Sequence, residues 1–140
     1  MKKNVIVFFT DQQRWDTMKT HNNPMSVTPN LDRMACLGTD VHYAFTCQPV
    51  CGPARSVMQT GLYPTTTGCW RNGIPLPRES KTLAHYFKEN GYRTAYIGKW
   101  HLGSDLAVCE VERGGYQDWL ACNLLEFTSD PYHTVLYNEN

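Results

Sequence analysis

Residues Asn4 to Thr10 hold an unbroken apolar run, Val5-Ile6-Val7-Phe8-Phe9, cut off by the polar Asp11-Gln12-Gln13. This is the pattern of a central strand with both faces covered, so a sheet with layers packed on either side is the first expectation. Thr28-Pro29-Asn30-Leu31 then predicts a helix capped by Thr28, with Pro29 in its first turn, Leu31, Met34 and Ala35 on one face, and Gly38 as its stop. Val41 to Thr46 reads as a further strand. Pro53 opens a second helix running to Thr60 before Gly61, which places Cys51 just ahead of a helix start. From Leu62 to Ser80 the glycines and prolines predict a long loop carrying Trp70, Arg71 and Asn72. Lys81 to Asn90 has helical spacing at Leu83, Ala84 and Phe87 with Gly91 as terminator, and Tyr92 to Ile97 follows as a strand ending at Gly98-Lys99-Trp100-His101. The alternation predicts an α/β fold with a mixed or parallel sheet flanked by helices. Such a sheet takes its ligand beyond the carboxyl ends of the strands, where Asp11-Gln12 and Lys99 to His101 both fall. Asp105 to Asn140 has no assignable periodicity.

Composition narrows the function. In 140 residues, 41% are hydrophobic and 19% charged, a balance that can offset the entropy of ordering and argues against disorder. Thirteen basic residues against thirteen acidic ones leave no net field, so broad nucleic-acid or membrane-surface binding is not expected. The Met1-Lys2-Lys3 start followed by apolar residues superficially suggests a leader, but the run is too short and Asp11 ends it. A cytoplasmic location is the resulting expectation. Cys36, Cys47, Cys51, Cys69, Cys109 and Cys122 lack the CxxC pairing of zinc sites and are read as reduced thiols. His21, His42, His85 and His133 lack ligand-like spacing and are read as structural.

The sharpest local feature is Cys51-Gly52-Pro53-Ala54-Arg55, followed by Ser56-Val57-Met58-Gln59-Thr60-Gly61. Taken alone, Cys51 could be a small buried hydrophobe. Asp11 could be a turn residue, Arg55 a surface charge, and Lys99 and His101 a solvated edge and a hydrogen-bonded histidine. The run is, however, similar to the C-x-P-x-R signature of the type I sulfatases, with Gln59 where that family usually carries an apolar residue. Gly91-Tyr92-Arg93-Thr94 through Gly98-Lys99-Trp100-His101 resembles the family's second signature, and Asp11-Gln12 and Thr28-Pro29-Asn30-Leu31-Asp32 match in the same order.

What the resemblance implies is specific. Residues 1–140 would be the N-terminal part of a sulfatase catalytic domain, an incomplete alkaline-phosphatase-like sheet flanked by helices. Cys51 would be oxidised to formylglycine (3-oxoalanine) by a formylglycine-generating or maturase enzyme. The hydrated aldehyde has one hydroxyl to attack sulfur and a second that lets the intermediate collapse and release sulfate. Asp11, Gln12 and the oxygen at position 51 would hold Ca2+ or Mg2+, since a carboxylate and an amide carbonyl are the ligands such ions accept. Arg55 would add charge beside the nucleophile, Lys99 would bind the sulfate oxygens, and His101 would contact the substrate and manage the proton on the hydroxyl. His101 is expected two residues along an extended segment from Lys99, pointing the same way. The implied substrate is a small-molecule or carbohydrate sulfate ester, hydrolysed by a sulfuric ester hydrolase. A phosphonate or phosphate ester hydrolase of the same superfamily and an inactive truncated fragment are the alternatives.

Overall fold

The computed structural model describes residues 2–130 and 132–138; Met1, Pro131, Glu139 and Asn140 lie outside them, as do the readings above that touch those four positions. The chain divides into two compact units, Met1–Phe45 and Thr46–Asn140.

In the first unit the expected helix forms as α1, Pro29–Leu37, with Thr28 at its N-cap position and Gly38 at its C-cap. The Thr28 hydroxyl does not cap the backbone as expected; it donates to Asp32 Oδ2 at 3.2 Å. The other Asp32 oxygen accepts the Thr20 N–H at 3.0 Å, tying α1 to a 3-10 turn, Lys19–His21. That N–H is the main reason the Asp32 carboxyl lies below its ordinary range. The strand expected over Asn4 to Thr10 does not form: no strand is assigned to these residues, and the apolar side chains of the run are exposed, Ile6 by 88%. A strand draws its stability from a neighbour's hydrogen bonds and from cover on its faces, neither of which the apolar run supplies by itself. Val41 to Thr46 likewise forms no strand.

The second unit contains the sheet. Strands β1, Ala95–Lys99, and β2, Asp118–Cys122, run parallel in register from Ala95↔Asp118 to Lys99↔Cys122, and β3, Tyr137–Asn138, adds antiparallel to β2. Helices α2, Cys51–Thr60, the single turn α3, Pro64–Thr67, and α4, Leu83–Glu89, precede the sheet in sequence. The expected α/β class holds, and the stretch after Asp105 that lacked periodicity supplies β2 and β3. Their short length explains the weak signal: a five-residue strand completes two alternations and a two-residue strand only one.

One sheet face carries the core. Trp100, Leu102, Trp119, Ala121, Val108, Leu76 and Cys69 are buried together, with Tyr96 and Tyr116 against them. Tyr96 lies edge-on to Trp100 at 4.9 Å and stacks on Trp119 at 5.4 Å, and Trp100 meets Trp119 edge-on at 5.4 Å. Aromatic pairs of this geometry contribute about 0.5–1.5 kcal/mol each beyond their buried area. Gly114 and Gly115 let the chain pass this box: both have positive φ, and a Cβ at Gly115 would lie 2.5 Å from the His85 ring. His85 is structural as expected, its Nδ1 accepting the Thr82 N–H at 3.1 Å in a capping box that starts α4. The opposite face shows Ile97 and its register partner Leu120 to solvent. No helix of the described residues is long and apolar enough to cross a membrane.

The crossover between β1 and β2 is fastened by a buried carboxylate. Glu112 accepts from Ser104 Oγ at 2.6 Å, from the Ser104 N–H at 2.9 Å and from Arg78 at 3.0 Å. The Ser104 bonds lead in holding its carboxyl below the ordinary glutamate range, with Arg78 adding to them and burial opposing. A carboxyl depressed in the folded state contributes stability that is present above its unfolded pKa and is lost as pH falls through the folded value. In urea unfolding from neutral pH downward, the stability gap between the native chain and Glu112→Gln is therefore expected to shrink as pH drops below about 4.3. A gap independent of pH would contradict this assignment.

Candidate active site

Cys51 is the first residue of α2 rather than two residues ahead of it; Val50, extended at φ −134° and ψ 141°, is the N-cap. The helix therefore begins at the motif cysteine, and the start of a helix is where unsatisfied N–H groups and the positive dipole end favour an anion. The N–H of Gly52 is taken by the Asn72 side-chain carbonyl at 2.8 Å. The sequence places Asn72 only on a long loop; this contact ties that loop to the helix start. A Cβ at Gly52 would come within 3.1 Å of Asn72 Oδ1 and 3.4 Å of the His101 carbonyl oxygen, so the motif glycine allows two other segments to approach the helix start closely.

Arg55, one turn along, is only 7% exposed. Its Nη1 donates to the Lys99 carbonyl at 2.6 Å and to the Tyr96 hydroxyl at 3.3 Å, while Tyr96 donates to that same carbonyl at 2.5 Å. The arginine thus joins α2 to the carboxyl end of β1. It is not a surface charge.

Lys99 closes β1 with its side chain nearly buried, and its ammonium reaches the Glu126 carboxylate at 2.9 Å. Burial pushes the Glu126 carboxyl up, but the bonds from Lys99 and from its own N–H, with nearby positive charge, outweigh that and leave it below the ordinary range. His101 is buried and bonds through its N–H to the Asn123 carbonyl at 2.8 Å, in line with Trp100 N–H to the Cys122 carbonyl at 2.8 Å. Its φ is +59°, so the extended geometry expected between Lys99 and His101 does not hold: the chain turns at His101 and strand alternation no longer relates the two side chains. Trp100 between them is core.

Cys51, Arg55, Lys99 and His101 thus belong to one unit, linked through α2, β1 and the 72 loop. Asp11 and Gln12 belong to the other unit, where both are exposed and Gln12 has φ +56°, a conformation seldom adopted by a residue with a side chain. Their oxygens are the donor type a hard divalent cation takes; a thiol at 51 is not, and an oxygen there would be. Asn72 and Glu126 were missed as partners because their contacts span 20 and 27 residues.

Gln59, the departure from the sulfatase signature, is buried and accepts from the Tyr116 hydroxyl at 2.9 Å. A buried amide is tolerated when paired, and Tyr116 supplies the pair.

A cysteine opening a helix, a buried arginine bonded to the end of a parallel strand, and a lysine and histidine where that strand stops lie in an α/β fold of the alkaline-phosphatase-like class. The family model described as Sulfatase matches residues 3–140, and the chain belongs to that family. It is 37% identical over 142 residues to an ulvan-active sulfatase of Formosa agariphila, covering 99% of this chain and 27% of that one. It is 34% identical to human steryl-sulfatase over 113 residues, covering 73% of this chain and 19% of that one. A solved structure of BT4656 in complex with its substrate D-glucosamine-2-N,6-O-disulfate superposes with a TM-score of 0.76 at 25% identity, over 89% of this chain and 24% of that one. The chain therefore spans about a quarter of the length of these relatives. Membership implies, in general, a metal ion and a formylglycine.

The Gln59–Tyr116 bond makes a stability prediction. Tyr116→Phe strands a buried amide oxygen and is expected to destabilise by about 1–3 kcal/mol, and adding Gln59→Leu to it to restore part of that loss. A denaturant double-mutant cycle measures the coupling; additive effects would show that the two side chains do not depend on each other.

Proposed function

We propose that this chain carries the nucleophile half of a sulfuric ester hydrolase whose formylglycine arises from Cys51. The observation that carries the reading is the position of Cys51 as the first residue of α2, with Arg55 bonded to the terminal carbonyl of β1 and Lys99 and His101 at that strand end. Formylglycine, once formed, supplies an oxygen nucleophile at neutral pH in place of a thiol. The rest falls to the chain's own residues. The start of α2 attracts the sulfate group, with Asn72 holding the Gly52 N–H and so fixing the first turn. Arg55 keeps that turn against β1, and its charge favours an anion beside position 51. Lys99 binds a sulfate oxygen, leaving Glu126 to do so, and His101 holds or passes the proton of the nucleophilic hydroxyl.

Calcium, or magnesium in its place, is the ion proposed, on the oxygen-donor chemistry of Asp11 and Gln12. The substrate class is a carbohydrate sulfate ester, supported by the ulvan-active relative and by the structure holding a disulfated glucosamine. These relatives favour sulfate over a phosphate or phosphonate ester. A formylglycine-generating or maturase enzyme is the partner that the cysteine requires.

Co-expression with a formylglycine-generating enzyme, followed by peptide mass spectrometry, tests the assignment. The Cys51 peptide is expected to lose about 18 Da, the covalent signature of thiol to aldehyde, while the other five cysteines keep their mass. An unmodified Cys51 overturns the reading for this chain. In a protein of the relatives' length, Cys51→Ala is expected to abolish sulfate release from an aryl sulfate.

A further inference from the structure

The unit Met1–Phe45 has one buried residue among those described, and it is His21. A segment of this size with no apolar core needs another source of cohesion, and the surroundings of His21 indicate what it is. His21 Nδ1 lies 2.9 Å from the Trp15 carbonyl, which can only accept, so Nδ1 carries the proton and Nε2 is the other functional nitrogen. Nε2 faces Asp40, with Oδ2 at 3.0 Å. Trp15 stacks on the His21 ring at 4.2 Å and 9° and fixes its plane. His42 stands edge-on to both rings, at 4.9 Å from Trp15 and 5.4 Å from His21. The candidate ligand atoms of His21, Asp40 and His42 all lie within 4.8 Å of one another.

We propose that His21, Asp40 and His42 form a binding site for a zinc-class transition-metal dication, distinct from the sulfatase chemistry of Cys51. Two imidazoles and one carboxylate are a borderline donor set, matched to zinc and its neighbours rather than to calcium or magnesium. A backbone carbonyl accepting from the far nitrogen is the outer contact that orients a metal-binding histidine and fixes its tautomer. Around an ion about 2.1 Å from each ligand, tetrahedral ligands stand about 3.4 Å apart. Asp40 and His42 are both exposed, so their side chains can rotate inward while the buried, stacked His21 stays fixed. The ion would clip the Lys19–His21 turn to the 40–42 segment and close the loop that contains α1, supplying cohesion the unit lacks in apolar burial. The competing account is a His21–Asp40 hydrogen bond with His42 as a mere ring neighbour, in which no metal binds and His42 contributes only packing.

The experiment uses the full 140-residue chain, stripped with a chelator, with its exposed thiols Cys36, Cys47 and Cys109 alkylated so that they cannot bind the probe. Zinc ion alone is titrated by calorimetry, and histidine side-chain nitrogen resonances are followed by NMR. One zinc per chain is expected, shifting the His21 and His42 ring nitrogens but not those of His133. His42→Phe, which keeps an aromatic ring in place and removes the ligand, is expected to weaken binding by at least about tenfold, the scale of losing a supporting contact to a metal site. His133→Ala should bind as the native chain does. No saturable binding, or equal affinity in His42→Phe, overturns the site.

Discussion

The bond from Arg55 to the Lys99 carbonyl is the point on which the second unit's functional architecture depends. A guanidinium that is almost fully buried is costly unless its donors are met, and the last carbonyl of a strand, beyond the ladder, is an acceptor in search of a donor. Arg55 Nη1 and this carbonyl satisfy one another, and the contact is charge-assisted. Because Arg55 lies one turn into α2, the same bond fixes where the helix begins relative to the end of β1, and hence where residue 51 stands. Tyr96 reinforces it from within β1: its hydroxyl donates to the same carbonyl while its ring belongs to the aromatic box with Trp100 and Trp119. The core is thereby wired to the site through one side chain. Lysine at position 55 would keep the charge and lose the planar guanidinium whose Nη1 reaches both oxygens.

The charges at the strand end obey the same requirement. Lys99 has nearly no access to water, and Glu126 neutralises it from a position that is itself about half exposed. Under the proposed function, an incoming sulfate would exchange one anion for another at the ammonium, so the buried cation is never left bare. The carboxylate that leaves is the partner better placed to be hydrated, which makes the exchange less costly than expelling a buried counterion. Asn72 plays a comparable part at the helix start: with the Gly52 N–H satisfied by a neutral carbonyl, the first turn is ordered without a fixed negative charge that would compete with the substrate.

Much of this architecture was legible from local chemistry. Thr28-Pro29 and Gly38 bracket α1, Gly91 follows α4, and Cys51 through Gly61 mark α2, because caps and breakers act over a few residues. What escaped the sequence depends on distant partners. The apolar run Val5 to Phe9 has the composition of a covered strand, but pairing and cover come from other segments, and the run itself records neither. Strand alternation from Lys99 to His101 failed because the chain turns at His101, whose left-handed backbone its side chain does not announce. Gln59 looked like a blemish in the signature until Tyr116, 57 residues later, supplied its hydrogen-bond donor.

Donor chemistry would also keep the two proposed cations apart. Asp11 and Gln12 offer only oxygen, whereas His21 and His42 offer imidazole nitrogen beside one carboxylate, so ions that prefer one set are poor matches for the other. The separation matters physically because the unit has little apolar burial to hold its segments in place. Cohesion between the turn at His21 and the segment at Asp40 then rests on directed polar contacts, of which Trp15 stacking and the His21 hydrogen bonds are already present. A metal at that point would add to contacts that exist, converting a hydrogen-bonded corner into a coordinated one.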